Sequence, residues 1–172
     1  ADVCASDLMA VLLPVLIAMT VVLEVFAWPV TLALSGKFHG VSHERVAFAV
    51  TLSRMTIPYL MRISLVSLFG GILNSLHKFW VNAAAPILLN LTLIVALLGF
   101  HSADPLVTAR NQAIAVTVSG MLQLLWLGLA CRQLGVRLKP RLPRIDPDVK
   151  RLLALIWPAA AGAGAVQINL VI

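Results

Sequence analysis

Long apolar runs separated by short polar segments dominate the chain. Five runs approach or exceed the roughly 20 residues that a helix needs to cross the hydrocarbon of a bilayer, and they cover residues 8–34, 46–73, 83–100, 113–131 and 152–172. No run shows the two-residue alternation of a barrel strand. Because helices satisfy their backbone groups without water, the pattern predicts an all-α fold, a polytopic transmembrane helical bundle with five spans.

Composition and charge agree with a lipid environment. Hydrophobic residues make up 60% of the chain and charged residues only 12%, whereas soluble domains carry about 25% charged residues. The mean hydropathy is +0.97. The net charge of +6 comes from basic residues between the apolar runs, which is typical of membrane loops rather than of a nucleic-acid-binding surface. We therefore expect no nucleic-acid partner.

The distribution of basic residues predicts the orientation. Residues 132–151 hold seven of the thirteen basic residues, so the positive-inside rule places this loop in the cytoplasm. Alternation of the spans then puts Lys78 on the cytoplasmic side and residues 35–45 on the outer side.

Two arginines in the second predicted span are candidates for a substrate pathway, because charged groups at membrane depth are costly. Arg62 lies near the middle of the span, and Arg54 lies eight residues earlier on roughly the same face. They would line a cavity for an anionic substrate. Alternatively, Arg54 reaches the outer interface and Arg62 pairs with Glu24. The residues themselves leave both interpretations open.

Small residues predict close helix packing in the same span. Ser67, Gly71 and Ser75 recur every four residues, a spacing that lets another helix approach closely. Gly70 extends a neighbouring row that includes Ser64. Gly70 and Gly71 are therefore the predicted packing glycines.

The polar segment after these glycines predicts a turn between two helices. Asn74 and Ser75 are expected to satisfy carbonyl groups at the end of the first helix. Asn82 is expected to open the next helix, and Pro86 would fall early in that helix, where it costs least.

The fifth span contains a predicted interruption. Pro158 removes a backbone hydrogen bond, and Gly162 and Gly164 lower the cost of bending. Gln167 and Asn169 follow and are further candidates for the substrate pathway, because their side chains could form hydrogen bonds at depth. An interrupted helix with polar groups is typical of an alternating-access transporter, although tight packing of small residues explains the glycines equally well.

No catalytic or metal-binding motif is present, so we expect no enzyme, no cofactor and no metal site. The sequence lacks the metalloprotease, nucleophile-elbow and phosphate-loop patterns. His39 and His43 have helical spacing beside Glu44, but a zinc site needs three or four ligands. Cys4 and Cys131 do not support a disulfide framework.

Three segments, taken together, resemble the MurJ/MviN family of lipid II flippases in the MATE-like exporter superfamily. Residues 54–91 read RMTIPYLMRISLVSLFGGILNSLHKFWVNAAAPILLNL and look like the fourth and fifth helices of that family. Residues 116–142 (VTVSGMLQLLWLGLACRQLGVRLKPRL) and 156–172 (IWPAAAGAGAVQINLVI) are similar to its sixth and seventh helices.

The resemblance implies a place in a larger two-lobed fold of fourteen helices, of which this chain would form helices three to seven. Residues 1–131 would belong to the N-terminal lobe, residues 132–151 would form a basic cytoplasmic loop, and residues 152–172 would open the C-terminal lobe. We therefore expect the chain to be a segment of a longer protein.

The function implied is transfer of the undecaprenyl-linked peptidoglycan precursor, lipid II, from the cytoplasmic to the periplasmic leaflet of the bacterial inner membrane. The resemblance further implies alternating access, with membrane lipids and a coupling ion as partners and with Pro158, Gly162 and Gly164 as the hinge. We expect a monomer. The essential arginines of the family lie in helices outside this chain, and Arg62 stands where the family usually has an apolar residue, which favours a local role for Arg62.

Two other functions remain open. One is a MATE-like exporter of an oligosaccharide-lipid or a drug. The other is a membrane scaffold for cell-wall assembly that transports nothing.

Overall fold

Helices form every regular element that the computed structural model describes, which covers residues 2–34 and 43–136 together with Ala154, Pro158 and Gly162. In chain order the helices are α1 (Asp2–Val25), α2 (Ala27–Leu34), α3 (His43–Ser75), α4 (Phe79–Gly99) and α5 (Pro105–Gln133). The 20-residue segment Ser6–Val25 of α1, and the whole of α3, α4 and α5, are long and apolar enough to cross a membrane. The predicted all-α, multi-pass membrane fold is confirmed. The division into two lobes stays a prediction, and most of the fifth predicted span lies outside the described residues.

The chain divides into two compact units. One consists of residues 16–137 and the other of residues 1–15 and 138–172. The second unit is described only for residues 2–15 of α1 and the three isolated residues named above. The contacts below therefore belong to the first unit.

The first predicted span, residues 8–34, consists of two helices with a break at Phe26. Pro29 explains the break, because its ring cannot donate a backbone hydrogen bond and collides with the carbonyl group four residues earlier, that of Val25. Hydrogen bonds from Phe26 N to Val22 O (2.9 Å) and from Val30 N to Phe26 O (3.0 Å) continue through the break. Helical hydrogen bonds thus continue on both sides of the break.

Helix α2 packs on the N-terminal half of α3. Ala27, Val50 and Ile57 form a buried cluster, and Leu23 and Trp28 pack against it. This contact covers one face of α3 in its first half.

Helices α3 and α5 run in the same direction. The hydroxyl of Thr117 bonds to the carbonyl of Met55 near the middle of α3, and the thiol of Cys131 lies 3.9 Å from the carbonyl of Phe69 closer to its end. Residue numbers thus increase together along both helices. Helix α4 runs in the opposite direction, because Gln112 and Trp126 of α5 bond to Leu93 and Val81 in reverse order. The three helices thus alternate in direction, as the apolar pattern predicts.

A left-handed residue ends α3. His77 has a φ of 60°, its N–H bonds to Asn74 O at 3.0 Å, and the N–H of Lys78 bonds to Leu73 O at 2.8 Å. These are the two hydrogen bonds of a Schellman cap, which usually has glycine at the left-handed position. Ser75 Oγ also donates to Ile72 O at 2.7 Å, so carbonyl groups at this helix end are satisfied locally.

Helix α4 begins at Phe79, four residues before the predicted start of the span. Lys78 occupies the N-cap position without a side-chain cap, so the prediction that Asn82 opens the helix is wrong. The Asn82 amide instead donates to Asn74 Oδ1 at 3.4 Å. Pro86 therefore lies inside the helix rather than near its start, and the carbonyl of Asn82 loses its usual N–H partner.

Helix α5 also begins earlier than predicted, at Pro105. Asp104 is its N-cap and accepts a hydrogen bond from Leu106 N at 2.9 Å. Asp followed by Pro is a favourable start because the cap supplies an acceptor and proline needs no N–H there. The helix ends at a left-handed glycine, Gly135, with a φ of 81°.

Candidate functional site

Helices α3 and α5 pack tightly at a position where α5 lacks a side chain, Gly120. A Cβ atom at Gly120 would lie 2.7 Å from Tyr59 Cδ2 and 3.3 Å from Arg62 Cδ. Both distances are shorter than ordinary carbon–carbon contacts. The side chains of Tyr59 and Arg62 therefore cross α5 over the backbone of a buried glycine.

The guanidinium group of Arg62 reaches the backbone of α5. Its Nη1 donates to Thr117 O at 3.4 Å, and the hydroxyl of Thr117 donates to Met55 O at 2.7 Å. Arg62 is half-buried and lies three residues beyond the midpoint of α3. Two hydrogen bonds, each from a side chain of one helix to a main-chain carbonyl of the other, thus connect α3 and α5 near the middle of both helices.

The predicted ion pair between Arg62 and Glu24 does not form within the described residues. Arg62 instead donates a hydrogen bond to the carbonyl of Thr117. A carbonyl dipole is a weaker acceptor than a carboxylate, but it lies within reach of Arg62 across the gap at Gly120.

Arg54 lies apart from this arrangement. Its side chain is exposed, whereas that of Arg62 is half-buried. Eight residues at about 100° each also place the two side chains some 80° apart around the helix. The structure therefore does not bring the two predicted pathway arginines together.

Two buried polar side chains on α5 were not among the predicted site residues. Ser119 is fully buried and donates to Val116 O at 2.7 Å. Gln123 is only 1% exposed, and its Oε1 has no hydrogen-bond partner within the described part of the chain. They share a four-residue spacing with buried Leu127 and Cys131, which is the signal that could have identified this face of α5.

The two adjacent glycines of α3 have different surroundings. Gly70 is buried, and a Cβ atom there would overlap the side-chain amide of Asn82 on α4. A Cβ atom on Gly71 would meet nothing within 4 Å, and Ser67 and Ser75 on the same stripe are also exposed. Within the described residues, close packing thus involves the row of Gly70 rather than that of Gly71.

Serines on both rows of α3 bond to their own helix. Ser64 Oγ donates to Leu60 O and Ser67 Oγ donates to Ile63 O, both at 2.9 Å. Such local bonds lower the cost of a hydroxyl group in an apolar environment. Their presence in a membrane helix therefore does not by itself require an aqueous pathway.

The other predicted site residues are described little or not at all. Pro158 and Gly162 are helical and exposed, whereas Gly164, Gln167 and Asn169 lie outside the described residues. His39 also lies outside them. The ring of His43 packs against that of Trp28, with centroids 5.5 Å apart and an interplanar angle of 51°. Across residues 2–34 and 43–136, no group of three or more His, Cys, Asp or Glu side chains could hold a metal ion.

Comparison with known proteins identifies the family. A profile described as lipid II flippase MurJ matches residues 2–172. The chain is 41% identical over 172 residues to the probable lipid II flippase MurJ of Rhizobium tropici, an alignment that covers 98% of this chain and 32% of the relative. The corresponding protein of Rhizobium meliloti is 33% identical over 170 residues, with 98% and 32% covered.

A third relative carries the same family name. The probable lipid II flippase MurJ of Rickettsia prowazekii is 32% identical over 157 residues, covering 91% of this chain and 30% of the relative. The chain spans about a third of the length of these relatives. The family resemblance of the three segments is thus confirmed, and the chain belongs to the lipid II flippase MurJ family.

Proposed function

We propose that this chain forms part of a lipid II flippase, which moves the undecaprenyl-linked peptidoglycan precursor from the cytoplasmic to the periplasmic leaflet of the bacterial inner membrane. The observation that carries the proposal is the family match across residues 2–172. The four long apolar helices in the described part of the chain suit a membrane transporter. The proposed role is transport by a monomer surrounded by membrane lipids, rather than catalysis.

In this proposal α3, α4 and α5 move together as part of one lobe. Alternating access requires bodies that keep their internal contacts while they rock against each other. The hydrogen bonds from Arg62 and Thr117 join α3 to α5, and that from Trp126 to Val81 O joins α5 to α4. We therefore assign Arg62 to the α3–α5 contact, and we assign any contact with an anionic substrate group to exposed Arg54.

The hinge of the proposed cycle lies in the fifth predicted span, at Pro158, Gly162 and Gly164. Replacing both glycines with leucine should impair transport and leave membrane insertion intact, because the larger side chains restrict bending. Leucine at Ala161 and Ala163 is the matched control, since it adds bulk to the same helix and retains the glycines. Full activity of the double glycine variant would exclude the hinge, as would equal impairment of the control.

The function is tested in cells depleted of their own flippase. The full-length protein that contains this chain should restore growth, and lipid II should become accessible to an enzyme that cleaves it only from the periplasmic side. Restored growth without accessible lipid II would favour a scaffold. Export of an oligosaccharide-lipid or a drug without lipid II transfer would favour the alternative exporter. A dependence of transfer on a sodium or proton gradient would identify the coupling ion.

A further inference from the structure

A cavity between the start of α4 and the end of α5 has no place in the proposed transport cycle. Its volume is about 310 Å³, at the lower end of the range for small-molecule sites. Among its lining residues are Lys78, Trp80 and Val81 from the start of α4, and Trp126, Leu129 and Gln133 from α5.

The cavity lies at the level of the lipid head groups. Lys78 immediately precedes α4, and Gln133 is the last residue of α5, so the cavity is at the ends of two membrane-crossing helices. Basic residues begin in the last turn of α5, at Arg132, and continue through residue 151, which predicts the cytoplasmic side. Tryptophan side chains such as Trp80 and Trp126 are enriched at this depth because one edge is apolar and the other forms hydrogen bonds.

One wall of the cavity is fixed by Trp126. Its Nε1 donates to Val81 O at 3.2 Å, and its ring meets that of Trp80 edge-on, with centroids 6.2 Å apart and an interplanar angle of 75°. This contact holds two large side chains in place without a ligand. The cavity is thus formed in advance, which lowers the entropic cost of binding.

Two hydrogen-bond donors on the cavity remain available. Trp80 is 66% exposed, and within the described residues its indole N–H has no partner. The ammonium group of Lys78 is likewise exposed and has no ion pair among those residues. Both donors sit beside the apolar side chains of Val81 and Leu129.

This combination suits an amphiphile with one anionic group and apolar chains. A cation and an N–H group favour a phosphate, and the apolar wall favours the first methylene groups of an acyl chain. We propose that the cavity binds an anionic glycerophospholipid of the surrounding leaflet, with its phosphodiester at Lys78 and Trp80 and an acyl chain along Leu129. Within the described residues the lining contains one cation, Lys78, which matches the single charge of a phosphodiester rather than the pyrophosphate of lipid II. The proposal does not depend on the transport function.

Native mass spectrometry of the full-length protein tests the site. The detergent-purified protein is titrated with dioleoylphosphatidylglycerol or with dioleoylphosphatidylcholine, and the apparent affinity of the first bound lipid is compared. We expect phosphatidylglycerol to bind more tightly. Lys78→Ala should weaken its binding about fivefold, the effect of one basic residue near a lipid surface, and Lys78→Arg should leave the affinity within about twofold because the charge is kept.

Two further variants separate a defined cavity from diffuse surface charge. Leu129→Trp should reduce phosphatidylglycerol binding by filling the apolar part of the cavity. Arg132→Ala is the matched control, because it removes a charge at the same membrane level from an exposed residue that does not line the cavity. It should leave binding of the first lipid within about twofold.

Several results would overturn the proposal. Equal affinity for the two phospholipids would exclude a site for an anionic head group. An unchanged affinity in Lys78→Ala or Leu129→Trp would place the lipid elsewhere. A loss in Arg132→Ala as large as that in Lys78→Ala would indicate diffuse charge, and displacement of phosphatidylglycerol by an equimolar amount of undecaprenyl diphosphate would assign the cavity to the substrate lipid.

Discussion

Helix α5 contacts its two neighbours in different ways. Against α3 it lacks a side chain at Gly120, and the space above this glycine is filled by Tyr59 and Arg62. Against α4 it extends two long side chains, Gln112 and Trp126, whose N–H groups reach backbone carbonyls at 3.3 and 3.2 Å. In lipid there is little hydrophobic driving force between helices, so close packing and interhelical hydrogen bonds stabilise the bundle. The first contact should be sensitive to added volume and the second to a lost donor.

The largest effect is expected at Gly120. Gly120→Ala should lower the free energy of unfolding by about 2–3 kcal/mol, because the new Cβ overlaps the ring of Tyr59 and overpacking is costly. Reversible unfolding of the full-length protein in mixed micelles with SDS measures the change. The control is Gly128→Ala on the same helix, where the added Cβ would lie 3.6 Å from Phe69 Cε2, an ordinary contact. Equal stability of the two variants would show that Tyr59 moves aside easily.

The adjacent glycines of α3 provide the next comparison. Gly70→Ala should cost about 1–2 kcal/mol, because it displaces the Asn82 amide and breaks its hydrogen bond to Asn74. The cost is smaller than at Gly120 since an amide at the end of a side chain adjusts more easily than a ring. Gly71→Ala should be neutral or stabilising by up to about 1 kcal/mol, the helix propensity gained over glycine. The same unfolding measurement applies, and a destabilised Gly71→Ala would reveal a neighbour outside the described residues.

The apolar pattern predicted the helices but not their ends. It placed the starts of both spans too late, directly after the polar residues Asn82 and Gln112, whereas α4 begins at Phe79 and α5 at Pro105. The start of α5 could have been predicted, since Asp104 and Pro105 form a favourable cap and first residue. The start of α4 could not, because Lys78 is no capping residue and His77 has a left-handed backbone that usually favours glycine.

The candidate site was predicted only in part. A charged residue in an apolar span is easily recognised in the sequence, but the group that it contacts is not. Arg62 stands out in an apolar span, and Glu24 was the obvious acidic partner. The observed acceptor is the carbonyl of Thr117, a group that every residue carries and that has no signature in a sequence. Gly120 was overlooked for a related reason, because its importance depends on which side chains of α3 cross it.

Gln123 on α5 belongs neither to the glycine contact with α3 nor to the hydrogen-bonded contact with α4. Its long polar side chain is buried, and its Oε1 accepts no hydrogen bond from the described residues. Gln123→Met keeps an unbranched side chain and removes the unpaired acceptor, so it should raise the free energy of unfolding by about 1 kcal/mol. A lower stability would show that the amide is satisfied by a group outside the described residues. Transport should be measured as well, since a more stable but inactive variant would indicate that Gln123 acquires its partner in another state of the cycle.

The smallest effect concerns the hydroxyl of Thr117, which adds a hydrogen bond between helices to the glycine contact. Thr117→Val keeps the shape and removes the bond to Met55 O, and we expect a loss of about 0.6 kcal/mol, the typical value for such a bond in a membrane protein. Thr92→Val is the matched control, because the hydroxyl of Thr92 bonds to Leu88 O of its own helix at 2.7 Å. If both variants lose the same amount in mixed-micelle unfolding, the interhelical bond adds nothing beyond a local one. In that case the close packing at Gly120, rather than the polar groups of α5, would stabilise the contact between α3 and α5.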